Sequence, residues 1–122
     1  MVVDELDKLV EAHEGCTTVA FADLSTRMVL VTNSLSTMPR EVLDRICVQA
    51  AVTLGDAGKT TLGEMPASMA LAADKSSVHL FLRATDEPSD VLCCVCSTDV
   101  DFDKIVAQAQ ACLRRISAND AE

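Results

Sequence analysis

The chain has 122 residues, nearly half of them apolar, and a formal charge of −9. A length of this order suits one domain with one core, and the acidic field disfavours nucleic acid and anionic membranes as partners. No apolar run approaches the ~20 residues of a membrane span, and the N-terminus lacks the basic head of a signal peptide, so we expect a cytoplasmic protein.

The first part of the chain predicts a helix followed by a β-hairpin. Apolar residues recur at helical spacing through 2–13, and we expect Gly15 in the left-handed conformation just past the helix end. Two short runs, 16–22 and 28–32, flank a polar turn and predict antiparallel strands. Because both faces of these strands are largely apolar, the sheet should be covered on both sides.

The rest of the chain predicts a helix, three strands and a closing helix. A capped helix should begin near Pro39 and run to about Leu54, and the glycines of 55–66 indicate a loop. The closing helix has one apolar face from Phe102 to Ile116. The predicted domain is therefore 1–117, with 118–122 as a frayed polar tail. The three intervening strands are predicted at 67–73, 78–84 and 91–97.

The order α-β-β-α-β-β-β-α favours consecutive hairpins over crossovers. The predicted fold class is accordingly α/β, of the α+β kind, with an antiparallel sheet. Nothing in the sequence repeats, and no linker is long enough to divide the chain.

The run Gly58-Lys59-Thr60 resembles part of a phosphate-binding loop. The full motif needs a glycine where Thr53 stands, and it needs a strand before the loop and a helix after it. Here a helix precedes and a strand follows, so we expect an ordinary loop that binds no nucleotide.

Three of the six cysteines lie on the last predicted strand. Cys94 and Cys96 share one face of that strand, whereas Cys93 points to the other, so the three thiols should not converge on a metal. Burial as small, reduced hydrophobes is the favoured interpretation for all six cysteines. A thiol enzyme built on this strand is the less favoured alternative. The six are Cys16, Cys47, Cys93, Cys94, Cys96 and Cys112.

The two histidines, His13 and His79, have no serine–base pattern and no convergent carboxylates near them in sequence. A catalytic constellation cannot be assembled from them. We therefore predict no catalytic residue, no metal site and no cofactor, and a protein that is not an enzyme.

The middle helix and the strand 67–73 predict a surface for a second copy. Val48 and Val52 fall opposite the broad apolar stripe of the helix, although isolated surface valines are also common. The strand has a face of small residues, and a strand edge without charge or proline usually gains a partner. The predicted homodimer interface comprises Val48, Val52, Arg45, Gln49, Ser68, Ala70 and Ala72.

The element order, the glycine after the first helix and the two-faced middle helix resemble the Roadblock/LC7 family. The similarity covers residues 2–116 and includes the strand and turn Val19-Ala20-Phe21-Ala22-Asp23. Members usually have a glycine in the first hairpin turn, whereas 23–27 has none, so we expect that hairpin to be longer or distorted.

The resemblance implies a five-stranded antiparallel sheet with helices on both faces. It also implies a non-enzymatic homodimer, joined through the middle helix and the neighbouring edge strand. Such proteins regulate or scaffold small Ras-like GTPases, or attach to dynein. The alternative function is a small-molecule sensor of the PAS or profilin-like type, with a pocket between sheet and helix.

Overall fold

A computed structural model describes residues 2–34, 36–54, 69–73, 75–84 and 89–120. Within them the elements follow the predicted order α-β-β-α-β-β-β-α. The run Gly58-Lys59-Thr60 and Ser68 lie outside the described residues. The bounds are α1 Val2–Ala12, β1 Cys16–Asp23, β2 Met28–Thr32, α2 Arg40–Leu54, β3 Met69–Ala73, β4 Val78–Arg83, β5 Asp90–Cys96 and α3 Phe102–Asp120.

The strands form one five-stranded sheet in the order β2-β1-β5-β4-β3. Every neighbouring pair is antiparallel, as predicted. The centre of the sheet joins β1 to β5, two strands far apart in sequence. The edges are β2 and β3, so the predicted edge position of the third strand is confirmed.

Helices cover both faces of the sheet, which confirms the prediction from its two apolar faces. Large side chains fill the layer under α1 and α3, among them Leu6, Phe21 and Ile105. The layer under α2 contains many small side chains, and the sheet contributes mainly alanine and valine to it. The small members of that layer are Ala20, Ala22, Cys47, Ala50, Ala51, Ala70, Ala72 and Cys93.

The sequence predicted that Gly15 takes the left-handed conformation after α1, and this prediction was wrong. The φ angle of Gly15 lies outside the left-handed region, and the constraint is space. A Cβ at this position would lie 2.7 Å from Ser97 Oγ and 3.0 Å from Val100 Cβ. Ser97 N also donates a 2.7 Å hydrogen bond to Gly15 O, which holds the two backbones together. Glycine is required because the turn that leaves α1 passes so near the end of β5.

The β1–β2 hairpin is distorted, as the missing glycine predicts. Arg27 takes the left-handed conformation, with φ of 57°. The register changes from Phe21 opposite Val31 to Ala22 opposite Val29, which leaves Leu30 as an extra residue in a β-bulge. An Arg residue thus supplies the positive φ that a glycine would take without strain.

Helix α3 is longer than predicted. It continues to Asp120, so residues 118–120 of the predicted tail are helical. The apolar stripe ends at Ile116, and beyond it no periodic signal marks the last turn.

Candidate interaction surface

The outward face of α2 carries two exposed valines. Val48 is 47% exposed and Val52 is 77% exposed. The opposite stripe of the helix is buried against the sheet, so the predicted division of α2 into two faces is confirmed. Contact of the valines with a second copy stays a prediction. The buried stripe consists of Leu43, Ile46, Cys47, Ala50, Ala51 and Leu54.

Two polar side chains, Arg45 and Gln49, flank the valine pair, and they differ in exposure and in hydrogen bonding. Arg45 is exposed, and its Nε donates to Glu41 O at 3.5 Å within the same helix. Gln49 is half-buried, with Oε1 2.9 Å from His79 Nδ1, a hydrogen bond that the Nδ1–H tautomer of His79 donates. Gln49 therefore ties α2 to β4 inside one protomer in addition to bordering the exposed face.

The small residues of β3 face the chain's own helix. Ala70 and Ala72 are half-buried and pack into the layer under α2. Their neighbours Met69 and Leu71 point to the other face of the sheet and are 44% and 52% exposed. These two large side chains lie beside the backbone edge of β3, and the predicted interface set did not include them. The alternation of small and large residues along the strand was the signal for them.

The two edges of the sheet differ in regularity. Strand β3 pairs with β4 without a register shift, from Met69 opposite Leu82 to Ala73 opposite Val78, and Met69–Ala73 contains no charged residue. Strand β2 is interrupted by its bulge. A regular, uncharged edge invites a further strand, whereas a bulge turns an edge away from such pairing. Among the described residues β3 is the regular, uncharged edge, and we refer to it as the open edge.

Solved structures with the same architecture decide the fold. A Roadblock/LC7 domain from Streptomyces avermitilis superimposes with a TM-score of 0.78 at 11% identity, over 97% of this chain and 96% of that one. MglB from Myxococcus xanthus gives 0.75 at 10% identity, over 97% and 95%. The gliding protein MglB of Thermus thermophilus gives 0.72 at 16% identity, over 97% and 89%. The chain has the Roadblock/LC7 fold.

No protein-family model matches this sequence, and no curated protein matches it either. At such low identity the likeness to solved structures establishes the Roadblock/LC7 fold alone, since one fold carries many functions.

On the α1/α3 side of this Roadblock/LC7 sheet, three thiols come together. Cys16 at the start of β1 lies beside Cys94 and Cys96 of β5, both of which affect its pKa. Cys93 points to the α2 side, as predicted, and all six cysteines are free and buried. The sequence pattern did not indicate the approach of Cys16, because it depends on pairing between the first and last strands.

The pKa values of Cys16 and Cys96 are raised, so both thiols are protonated at neutral pH. The hydrogen bond from Cys94 raises the pKa of Cys16 to about 12, and its partner Cys16 raises the pKa of Cys96 further. Burial raises the pKa of Cys112 to about 11. Thiols of raised pKa are poor nucleophiles at neutral pH, which argues against a thiol enzyme on this strand.

An open cleft of about 560 Å³ lies where α1 ends and α3 begins. Its lining includes His13, Gly15, Ser97 and Lys104. His13 is buried, with Nε2 2.7 Å from Gln108 Oε1, so it joins the end of α1 to α3. Among the described residues, no group of three or more His, Cys, Asp or Glu side chains is placed to hold a metal ion.

Helix length and composition also bear on membranes. No helix in the described part of the chain is both long and apolar enough to cross a bilayer.

Proposed function

We propose that this protein is a non-enzymatic, cytoplasmic homodimer that regulates or scaffolds a small Ras-like GTPase or a larger protein assembly. The observation that carries the proposal is the exposed pair Val48 and Val52 beside the open edge of β3. A monomer gains nothing from two valines on the outer face of a helix, whereas a partner helix would bury them.

The helix and the strand edge form one continuous surface. Ala70 and Ala72 of β3 pack beneath α2, so the valine face and the open backbone edge are neighbours. A two-fold axis through this region brings α2 against its own copy and β3 against its own copy at once. The two sheets then continue as one.

The free energy of association indicates that both the valine pair and the β3 edge are needed for a stable dimer. Burying the exposed fractions of the four valines contributes about 4–7 kcal/mol, whereas association costs about 4–15 kcal/mol in lost freedom of motion. The valines alone leave little or no surplus. Strand pairing along β3, with the burial of Met69 and Leu71 beside it, supplies the remaining free energy.

The Ras-like GTPase enters the proposal through the Roadblock/LC7 resemblance. Several of the similar solved structures are MglB or MglC proteins, and one is described as MglB with a tetrameric arrangement. Self-association in a neighbour of the same fold supports the dimer proposed here. Acidic net charge is compatible with a protein partner and disfavours nucleic acid.

The sensor alternative is not favoured. Such a domain needs a pocket between sheet and helix, and here the layer between the sheet and α2 consists of closely packed buried side chains. Cys47, Ala50 and Phe81 in this layer are fully buried.

The double substitution Val48→Glu with Val52→Glu tests the dimer. Both side chains lie outside the core, so the fold should persist, and each new carboxylate would face its own copies across the two-fold axis. Burying unpaired carboxylates costs several kcal/mol, on the order of what holds a modest dimer together. Sedimentation velocity should show a dimer for the parent and a monomer for the variant, with unchanged far-UV circular dichroism.

The matched control adds the same charge elsewhere. Ala107 and Gln110 are exposed on α3, far from α2, and Ala107→Glu with Gln110→Glu should leave the dimer intact. A valine variant that stays dimeric would place the interface elsewhere. Unfolding of that variant would show that the valines belong to the core.

A second experiment separates the partner from the dimer. The purified protein is mixed with Ras-like GTPases of its own organism, each loaded with GDP or a GTP analogue, and binding is measured by calorimetry. Binding that depends on the nucleotide state supports GTPase regulation. Absence of binding to every GTPase contradicts the proposed GTPase partner, but it does not bear on the proposed homodimer.

A further inference from the structure

Cys16 and Cys96 face each other directly across the centre of the sheet. They are register partners in the antiparallel pair β1–β5. The flanking hydrogen bond runs from Ser97 N to Gly15 O at 2.7 Å. A hydrogen bond between the flanking residues puts Cys16 and Cys96 in a non-hydrogen-bonded position, where Cα atoms lie about 4.5 Å apart. Disulfides span Cα separations of about 4.4–6.8 Å.

The side chains, like the backbones, are close. Both thiols point to the α1/α3 side of the sheet, and the neighbouring Cys16 is the largest cause of the raised pKa of Cys96. Cys94 also touches Cys16, but it pairs in register with Val19, so it stands diagonal to Cys16. Diagonal neighbours on a sheet face are about 7–8 Å apart, which favours Cys96 as the partner of Cys16.

The pair lies directly behind the cleft at the end of α1. Gly15 and Ser97, the chain neighbours of the two cysteines, both line that cleft. Cys16 is 4% exposed and Cys96 is 2% exposed, so a solute reaches the two thiols only when the structure opens locally. Cys47 and Cys93 lie on the other side of the sheet.

We propose that Cys16 and Cys96 form a redox site that closes to a cross-strand disulfide when the protein meets hydrogen peroxide. The thiolate of Cys16 attacks one peroxide oxygen, the O–O bond breaks, hydroxide leaves, and Cys16 becomes a sulfenic acid. The thiolate of Cys96 then attacks the Cys16 sulfur, the S–S bond forms and hydroxide leaves. The two thiol protons convert the two hydroxides to water. Two thiols are oxidised and one peroxide is reduced to two waters.

The protonation state of the two thiols determines the rate of disulfide formation. Because the pKa of Cys16 is raised to about 12, little thiolate exists at pH 7, and closure follows sustained oxidation and not a brief pulse. The disulfide would join the first residue of β1 to the last residue of β5. It would thereby fix the walls of the cleft.

The test exposes the full-length protein to hydrogen peroxide for increasing times, followed by alkylation and tryptic digestion. Peptide 9–27 contains Cys16 alone, and peptide 84–104 contains Cys93, Cys94 and Cys96. The expected product is a cross-link between these peptides, with fragmentation placing the bond at Cys96. The melting temperature should rise by about 5 °C or more and return on reduction by dithiothreitol.

Matched variants distinguish this pair from the other thiols. Cys93→Ala, on the opposite face, should keep the cross-link, whereas Cys96→Ala should abolish it. If Cys96→Ala does not fold, mapping of the cross-link in the parent protein decides. A bond to Cys94, oxidation of Cys16 to sulfinic acid without a cross-link, or no intramolecular disulfide after exhaustive peroxide treatment would each overturn the proposal.

Discussion

At Gly15 there is no room for a Cβ atom, because the turn after α1 passes close to Ser97 and Val100 after β5. Ser97 Oγ would lie 2.7 Å from an added Cβ, and it is held in place by a hydrogen bond to Asp99. Gly15→Ala should therefore destabilise the protein by about 1–3 kcal/mol, the usual cost of overpacking. Urea denaturation monitored by circular dichroism measures this loss.

Measuring Gly15→Ala in a Ser97→Ala background separates the steric clash with Ser97 Oγ from the effect of alanine on the backbone conformation. It removes the nearest obstructing atom, so Gly15→Ala should cost clearly less there than in the parent. An equal cost in both backgrounds would mean that contact with Ser97 Oγ is not what excludes the side chain.

Arg27 carries a second residue-scale prediction. A non-glycine residue in the left-handed region costs about 1–2 kcal/mol in backbone strain. Arg27→Gly and Arg27→Ala remove the same side-chain contacts, and only the glycine relieves the strain. The glycine variant should be the more stable of the two by about 1 kcal/mol, measured as the difference in free energy of unfolding. Equal stability of the two would show that this turn relaxes without cost.

At the scale of elements, the two sheet edges predict different responses to charge. Leu71 on β3 and Leu30 on β2 are similarly exposed, at 52% and 55%. Lysine on an edge strand is a common device against pairing. Leu71→Lys should weaken the proposed dimer at least tenfold in dissociation constant, whereas Leu30→Lys should leave it unchanged, both measured by analytical ultracentrifugation. The reverse order would identify β2 as the edge that pairs.

Much of the element pattern could be predicted because it is local. Periodicity and turn residues placed all eight elements, and the alternation in β5 correctly separated Cys93 from Cys94 and Cys96. The proximity of Cys16 depends on long-range strand pairing, which no local pattern encodes. The orientation of Ala70 and Ala72 toward their own helix likewise depends on which face of β3 lies under α2. The last turn of α3 has no apolar signal of its own.

For the molecule as a whole, the buried thiols predict a loss of stability in alkaline solution. Folding raises the pKa of Cys16 to about 12 and of Cys112 to about 11 from the ordinary value of 9.0, and raises those of Cys47, Cys93 and Cys96 as well. Between about pH 8.5 and pH 11 the unfolded chain releases these protons while the folded chain keeps them. The free energy of unfolding must therefore fall as pH rises.

Each such thiol lowers the free energy of unfolding by up to about 1.4 kcal/mol per pH unit. Melting temperatures recorded from pH 7 to pH 10.5 under reducing conditions should decline steadily above about pH 8.5. Cys93→Ala removes one titrating group and should flatten the decline. A melting temperature independent of pH over this range would contradict the burial of the thiols.

The unequal edges of the sheet also set a limit on assembly size. A molecule with two regular edges can add copies at both ends and grow into an open filament. Because β2 is bulged and only β3 is regular, each molecule offers one edge strand for pairing. Pairing with one other copy would occupy that edge. The proposed two-fold pair would then be closed, and both outer edges would present the irregular strand. In that dimer the bulge in β2 would limit sheet extension to two copies.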